Sequence, residues 1–190
     1  EIKNGGITYI RITDNGKGIQ KDDIQIAFER HATSKIRSSN DLSSITTMGF
    51  RGEALASIAS IAEVELTTCT KDSDIGNKIV VKAGEVIEFE ECGCPKGTTI
   101  TVKDLFFNTP VRYKFLKKDF TEAGYIEDIV TKLALIHPEI AFKLISKDKQ
   151  ILSTNGNGDV QSVIFSIFGK DVAQNVITVD YTYENMKITG

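Results

Sequence analysis

The sequence predicts an α+β fold: a two-layer sandwich of a mixed, mostly antiparallel sheet with helices packed on one face, followed by the start of a second α/β domain. Three observations predict it. Alternation of apolar and polar residues at period two recurs in separate short runs, from "YIRITD" to "GTTITVK". Apolar residues at helical spacing appear in "KDDIQIAFERHA", in "EALASIASIA" and again from Ile126 to Ile136. Glycine-bearing turns join neighbouring strand patterns, which favours antiparallel pairing of sequence neighbours.

The elements follow in order. "EIKNGGITYIRIT" reads as a strand of a hairpin already under way, ending at the glycine turn of "DNGKGI". Ile24, Ala27 and Phe28 share one face of a helix whose first turn carries Asp22 and Asp23. Leu55, Ile58, Ala59 and Ala62 give the next helix its inward face, and "VELTTCT" is a strand. "NKIVVKAGEVIEFEE" is a hairpin about Ala83-Gly84, and "GTTITVKDLFF" adds another strand. Thr109 before Pro110 reads as an N-cap with proline at the first helical position, opening a short helix to about Leu116. A long helix with Ile126, Ile129, Val130, Leu133 and Ile136 inward stops before Pro138, and "AFKLISKDKQILST" is a hairpin. The two Asn-Gly steps of "NGNGD", residues 155 to 159, mark a domain boundary. Beyond it, "VQSVIFSIFG" reads as a helix closed by Gly169 and "NVITVDY" as a strand.

Composition narrows the function. A chain of 190 residues with 41% hydrophobic residues holds enough apolar side chain for a core, so global disorder is excluded. The net charge of -3 argues against coating nucleic acid with the whole surface, though not against a local basic patch. No apolar run reaches the roughly 20 residues that span a bilayer, and "EIKNGG" is no secretory signal, so a soluble, cytoplasmic protein without membrane contact is expected. Cys69, Cys92 and Cys94 form neither an even disulfide set nor a paired zinc pattern, and read as reduced structural thiols. His31 and His137 lack partners at ligand spacing, so no metal site is assigned. The absence of an initiator Met suggests a fragment.

Four features carry chemistry, each with a plain structural alternative. Asp14, Gly16 and Gly18 follow a strand; the Asp either bonds its own turn or presents a carboxylate to the amine of adenine. Thr33, Ser34 and Lys35 either end a helix in solvent or belong to a lid over phosphates. In "TTMGFRGEALASIA", Gly49 and Gly52 flank Arg51 at the start of a helix. They either bring two helices together or expose backbone N–H groups to an anion. Thr98, after Gly97, is either a β-branched strand residue or a hydroxyl supporting a base pocket. Separately, "VRYKFLKK" interleaves Arg112, Lys114, Lys117 and Lys118 with Tyr113 and Phe115. This is either a solvated helix face with its aromatics turned to the core or a phosphate-binding patch.

The order of these motifs resembles the ATPase group shared by type II topoisomerases, heat-shock chaperones, histidine kinases and MutL, known as GHKL or Bergerat ATPases. Within it, "RHATSKI", "GFRGEALASI" and "DLFFNTPVRYKFL" resemble the MutL family of DNA mismatch-repair proteins along the whole chain. The last of these stretches disfavours a topoisomerase-type or kinase-type ATPase.

The resemblance implies that Asp14 accepts the adenine amine, with Gly16 and Gly18 shaping its turn and Thr98 assisting. It assigns Thr33, Ser34 and Lys35 to the nucleotide lid. Gly49, Phe50, Arg51, Gly52, Glu53, Ala54 and Leu55 go to the phosphate loop and helix start, with Phe50 and Glu53 as packing or helix-start residues. Lys114 matches a position associated with DNA. ATP and Mg2+ are the implied cofactors, but the family's general-base Glu and Mg-binding Asn are expected upstream of residue 1, so no catalytic residue is assigned. The expected domains are a GHKL-type ATP-binding domain at 1–154, lacking its N-terminal helix, and the start of a transducer-like domain at 155–190. The implied partners are DNA, bound without sequence specificity and sensitively to salt, other mismatch-repair proteins, and a second copy as an ATP-dependent homodimer. A nucleotide- or DNA-binding module without catalysis is the alternative. Whether the intact protein carries a C-terminal endonuclease is open.

Overall fold

The computed structural model describes residues 1–30 and 52–190, and the chain divides into two compact units, Glu1–Ala123 and Gly124–Gly190. That division by compactness falls inside a helix and is a separate matter from the domain boundary expected near residue 155. Among the described residues, no helix is long and apolar enough to cross a membrane.

The first unit opens with β1 (Ile2–Lys3), a 3-10 turn (Asn4–Gly6) and β2 (Tyr9–Asp14), followed by α1 (Lys21–Ile26) and α2 (Ala54–Ala59). Then come β3 (Glu63–Cys69), β4 (Gly76–Lys82), β5 (Glu85–Cys92), β6 (Gly97–Lys103), the short α3 (Pro110–Tyr113) and the start of α4 (Asp119–Ile136). Its strands lie in the order β5-β4-β3-β6-β2-β1 with every neighbouring pair antiparallel. The N-terminal stretch is therefore a strand, a turn and a second strand, with Asn4 in the turn rather than on a strand.

Residues opposite one another on neighbouring strands share a face, so the registers define rows across the sheet. One row is Ile10, Val102, Val64, Val81 and Val86; the next is Ile12, Ile100, Leu66, Ile79 and Phe89. Ile24 of α1 and Ala59 of α2 come down on this face and close a core with Val64, Leu66, Ile79, Val81 and Val102. Ile58 and Ala62 join them as the helical spacing predicts, whereas Leu55 is only half-buried. Each fully buried aliphatic here contributes about 1.5–3 kcal/mol.

Local chemistry explains several boundaries. Ala83 and Gly84 both take positive φ, 52° and 85°, the paired left-handed conformation of a two-residue hairpin turn. Their amides bond to the carbonyls of Ala62 and Ala59, tying the hairpin tip to the end of α2. Thr109 stands at the N-cap of α3 as expected, with Pro110 following, but its hydroxyl makes no capping bond and is buried without a partner. α3 also stops at Tyr113, short of Leu116, with single turns continuing beyond it.

In the second unit, α4 ends before Pro138, β7 (Lys143–Ser146) pairs with β8 (Lys149–Ser153), and α5 (Val160–Phe168) precedes α6 (Lys170–Ala173). β9 (Asp180–Tyr183) pairs with β10 (Met186–Thr189). Ile129 and Ile136 of α4 stay exposed, contrary to the helical pattern, and Ala134 is the buried residue. The last hairpin begins at Asp180, later than "NVITVDY" suggests. α5 is capped by Asp159, whose carboxylate accepts the amides of Gln161 and Ser162, and the hydroxyl of Ser162 holds that carboxyl below its usual range.

Candidate functional site

The third row across the inner face breaks the apolar pattern. Asp14, Thr98, Thr68, Asn77 and Glu91 follow one another on β2, β6, β3, β4 and β5 at one end of the sheet. Thr68 is buried and must find partners inside the protein, Thr98 and Asn77 are half-buried, and Asp14 and Glu91 are exposed at the two ends of the row. Lys21, at the start of α1, meets Glu91 at 2.8 Å, while the buried side-chain Oδ1 of Asn77 has no partner.

Asp14 is the centre of the row. Its Oδ1 accepts the amide of Gly16 at 2.8 Å and the amide of Thr98 at 3.2 Å. The first bond closes the turn of "DNG"; the second fixes the carboxylate against the neighbouring strand. Thr68 locks the row from below, since its Oγ1 donates to the Gly97 carbonyl at 3.0 Å and accepts the Ile19 amide at 2.9 Å. With its only proton committed to Gly97, Thr68 can meet Thr98 Oγ1, 3.1 Å away, only as acceptor. Thr98 is therefore the donor, and its lone pairs stay open.

The glycines permit this closeness. Gly18 has φ +73°, and a Cβ there would lie 2.7 Å from the Cys69 carbonyl carbon; Gly97 has φ +110°, and a Cβ there would strike the Asp14 carbonyl oxygen. Any side chain at either position drives the loop and β6 away from Asp14. Ile12, one row away on the same face, remains 65% exposed, so an apolar surface borders the carboxylate.

At the start of α2, Gly52 (φ +63°) precedes Glu53, the N-cap residue, with Ala54 and Leu55 in the first turn. The side chain of Glu53 does not cap the helix. Thr33, Ser34, Lys35, Gly49, Phe50 and Arg51, like His31, lie outside the described residues. His137 faces Glu139 at 3.0 Å, and among the described residues no group of three or more His, Cys, Asp or Glu is placed to hold a metal.

The basic stretch about α3 lies elsewhere in the first unit. Arg112, Lys114, Lys117 and Lys118 are all exposed, and among the described residues none is ion-paired. The alternative of aromatics turned to the core does not hold: Tyr113, Phe115 and Phe120 are 52%, 79% and 86% exposed. Thr68 is the site residue missed in the sequence. Only the strand register, which places it opposite Thr98, identifies it.

Comparison with known proteins places the chain in a family. Residues 2–92 match the family of histidine kinase-, DNA gyrase B- and HSP90-like ATPases. The chain is 50% identical over 190 residues to the DNA mismatch repair protein MutL of Agathobacter rectalis, covering 100% of this chain and 29% of that protein. It is 50% identical over 188 residues to the MutL of Thermoanaerobacter pseudethanolicus, covering 99% and 31%. The chain thus spans under a third of the curated relatives it matches. Among solved structures, it resembles the Aquifex aeolicus MutL ATPase domain complexed with ADP, with a TM-score of 0.70 and 28% identity over 94% of this chain and 61% of that one. The N-terminal domain of a DNA repair protein gives a TM-score of 0.78 and 29% identity over 95% and 53%.

Proposed function

The chain belongs to the MutL family of DNA mismatch-repair proteins, and from that premise we propose that it is the ATP-binding switch region of such a protein, acting in the cytoplasm. In the intact protein it hydrolyses ATP and couples nucleotide state to homodimerisation, DNA binding and contact with other repair proteins.

The observation that carries this reading is the carboxylate of Asp14. Both of its described hydrogen bonds go to Oδ1, which leaves Oδ2 for the exocyclic amine of adenine. Gly16 and Gly18 shape the turn, and Thr98, oriented by Thr68, stands beside it with an acceptor to offer. Ile12 supplies an apolar border for the base. Gly52, Glu53, Ala54 and Leu55, with Gly49, Phe50 and Arg51, form the phosphate loop and helix start, and Thr33, Ser34 and Lys35 form the lid. The ADP in the solved Aquifex domain supports the choice of nucleotide.

Mg2+ neutralises triphosphate charge when bound, but none of the described side chains is assigned to it. Neither Glu1 nor Asn4 replaces the family's general base and Mg ligand. Glu1 is paired with Arg11 at 2.6 Å, and Asn4 donates to Asp119 at 3.1 Å. Residues 155–190, from the Asn-Gly turn through the Asp159-capped α5, begin the transducer-like domain. Arg112, Lys114, Lys117 and Lys118 form a DNA-phosphate patch.

Calorimetric titration of Mg-ATP into the intact protein and its Asp14→Asn variant tests the reading. A hydrogen bond to a charged group is worth about 1.5–3 kcal/mol, so the variant should bind at least about tenfold more weakly. A folded parent that ignores ATP would defeat the proposal; equal affinities would move adenine away from Asp14. Binding by the intact protein without any turnover would favour a non-catalytic nucleotide- or DNA-binding module.

A further inference from the structure

The outer face of the same sheet end holds a chemistry that the nucleotide site does not use. β5 ends at Cys92, directly opposite Gly76 of β4, and continuing the β3–β4 register brings Gly76 beside Cys69. Cys94 folds back onto this glycine, so that a Cβ at Gly76 would strike Cys94 Sγ and lie 3.2 Å from the Cys92 carbonyl oxygen. The missing side chain of Gly76 is thus the space that the Cys94 thiol fills, next to the strand position of Cys92. Cys69 is buried and its thiol donates to the Ser73 carbonyl at 3.3 Å, whereas Cys92 and Cys94 are half-buried and reachable.

We propose that Cys92 and Cys94 are a redox-modification site, a dithiol that closes to a disulfide by exchange with a low-molecular-weight disulfide and in closing displaces the connection that delivers Gly97 and Thr98 to Asp14. Two extended residues span at most about 7 Å, and disulfides accept Cα separations of about 4.4–6.8 Å, so a modest bend suffices. Gly93 supplies the bend: it is exposed, and a Cβ there would meet nothing within 4 Å.

Burial first, and then the charge and hydrogen bonding of Cys92, push the Cys94 thiol up to about 11, which disfavours Cys94 as the first nucleophile. Cys92 loses its proton to water, and its thiolate attacks one sulfur of the small disulfide, whose S–S bond breaks and releases a first thiolate that takes a proton from water. Cys94 then loses its proton to water, attacks the Cys92 sulfur and expels the second small thiolate, which is protonated in turn. Two electrons pass from the protein dithiol to the small disulfide, giving one protein disulfide and two small thiols.

The mechanical consequence follows from position. Residues 93–96 join β5 to β6, and Gly97 and Thr98 are the next two residues. Their placement rests on the Gly97 contact with the Asp14 backbone and on the Thr98 amide bond to Asp14. Rearranging the connection therefore pulls on the row that holds Asp14.

Incubation of the protein with oxidised glutathione, digestion without reductant and mass spectrometry test the site. The expected result is loss of two hydrogens from the peptide holding Cys92 and Cys94, abolished in Cys92→Ser and in Cys94→Ser and retained in Cys69→Ser. A disulfide through Cys69, glutathione adducts alone, or no oxidation would overturn it. Amide NMR of the same samples should show Gly97 and Thr98 shifting on oxidation in the parent and in Cys69→Ser but not in Cys92→Ser; unmoved resonances would overturn the coupling. The nucleotide consequence, weaker Mg-ATP binding by the oxidised protein, rests on the Asp14 reading. If the reduced protein fails to bind ATP, that reading falls, while the mapped disulfide still decides the thiol pair.

Discussion

Thr68 concentrates three hydrogen bonds on one buried hydroxyl, to the Gly97 carbonyl, the Ile19 amide and Thr98. Thr68→Val keeps the shape of the side chain and removes those bonds, taking the hydroxyl away from a buried carbonyl and a half-buried amide. That should cost about 1–3 kcal/mol, read as a lower urea midpoint with an unchanged slope. Mg-ATP affinity should fall with it, because Thr98 loses the acceptor that orients it. An unshifted midpoint would show that the hydroxyl is dispensable. Asp14 was legible in the sequence because a short Asx turn after a strand is a local signal. Thr68 was not, because a threonine in "VELTTCT" reads as an ordinary β-branched strand residue until the register sets it opposite Thr98.

At the scale of elements, charged side chains tie β3, β4 and β6 together at the end of the sheet away from Asp14. Glu63 meets Lys82 at 3.1 Å and Lys103 at 3.6 Å, and the hydrogen bond from Lys82, followed by the charges of both lysines, holds its carboxyl below the usual range. A carboxyl depressed in the folded state contributes stability above its unfolded value of about 4.3 and loses it as pH falls through the folded value. Glu63→Gln should therefore lower stability by less than about 1 kcal/mol at neutral pH and flatten the loss on acidification. Parallel melting curves of parent and variant at all pH values would refute this.

The stretch about α3 presents exposed aromatics among four cations, an arrangement suited to weak, salt-sensitive phosphate contact. Lys114→Glu should weaken DNA binding at low salt and reduce its salt dependence while leaving nucleotide affinity intact. Unchanged DNA affinity would remove Lys114 from the patch. The helix pattern over-reached here and in α4: apolar spacing names a face, but Ile129 and Ile136 show that spacing alone does not supply a neighbour to cover it.

For the whole molecule, nucleotide binding and turnover separate. The described residues build the polar row about Asp14 that the proposed reading gives to adenine, while Glu1 and Asn4 are committed to Arg11 and Asp119. This chain alone should hydrolyse ATP poorly or not at all, as phosphate release by the purified protein would show; robust turnover would place a general base within it. The sequence by itself determined the α+β class, the order of most elements, the turn at Asp14 and the family, because strand alternation, glycine turns and contiguous motifs are local signals. Only the tertiary structure decided which residues form the polar row, that Thr68 anchors it, that the aromatics beside Lys114 face solvent, and that Cys69 comes to the same glycine, Gly76, as Cys92 and Cys94. Those facts depend on pairing between strands far apart in the chain, and side-chain periodicity identifies the faces of a strand without identifying its partner.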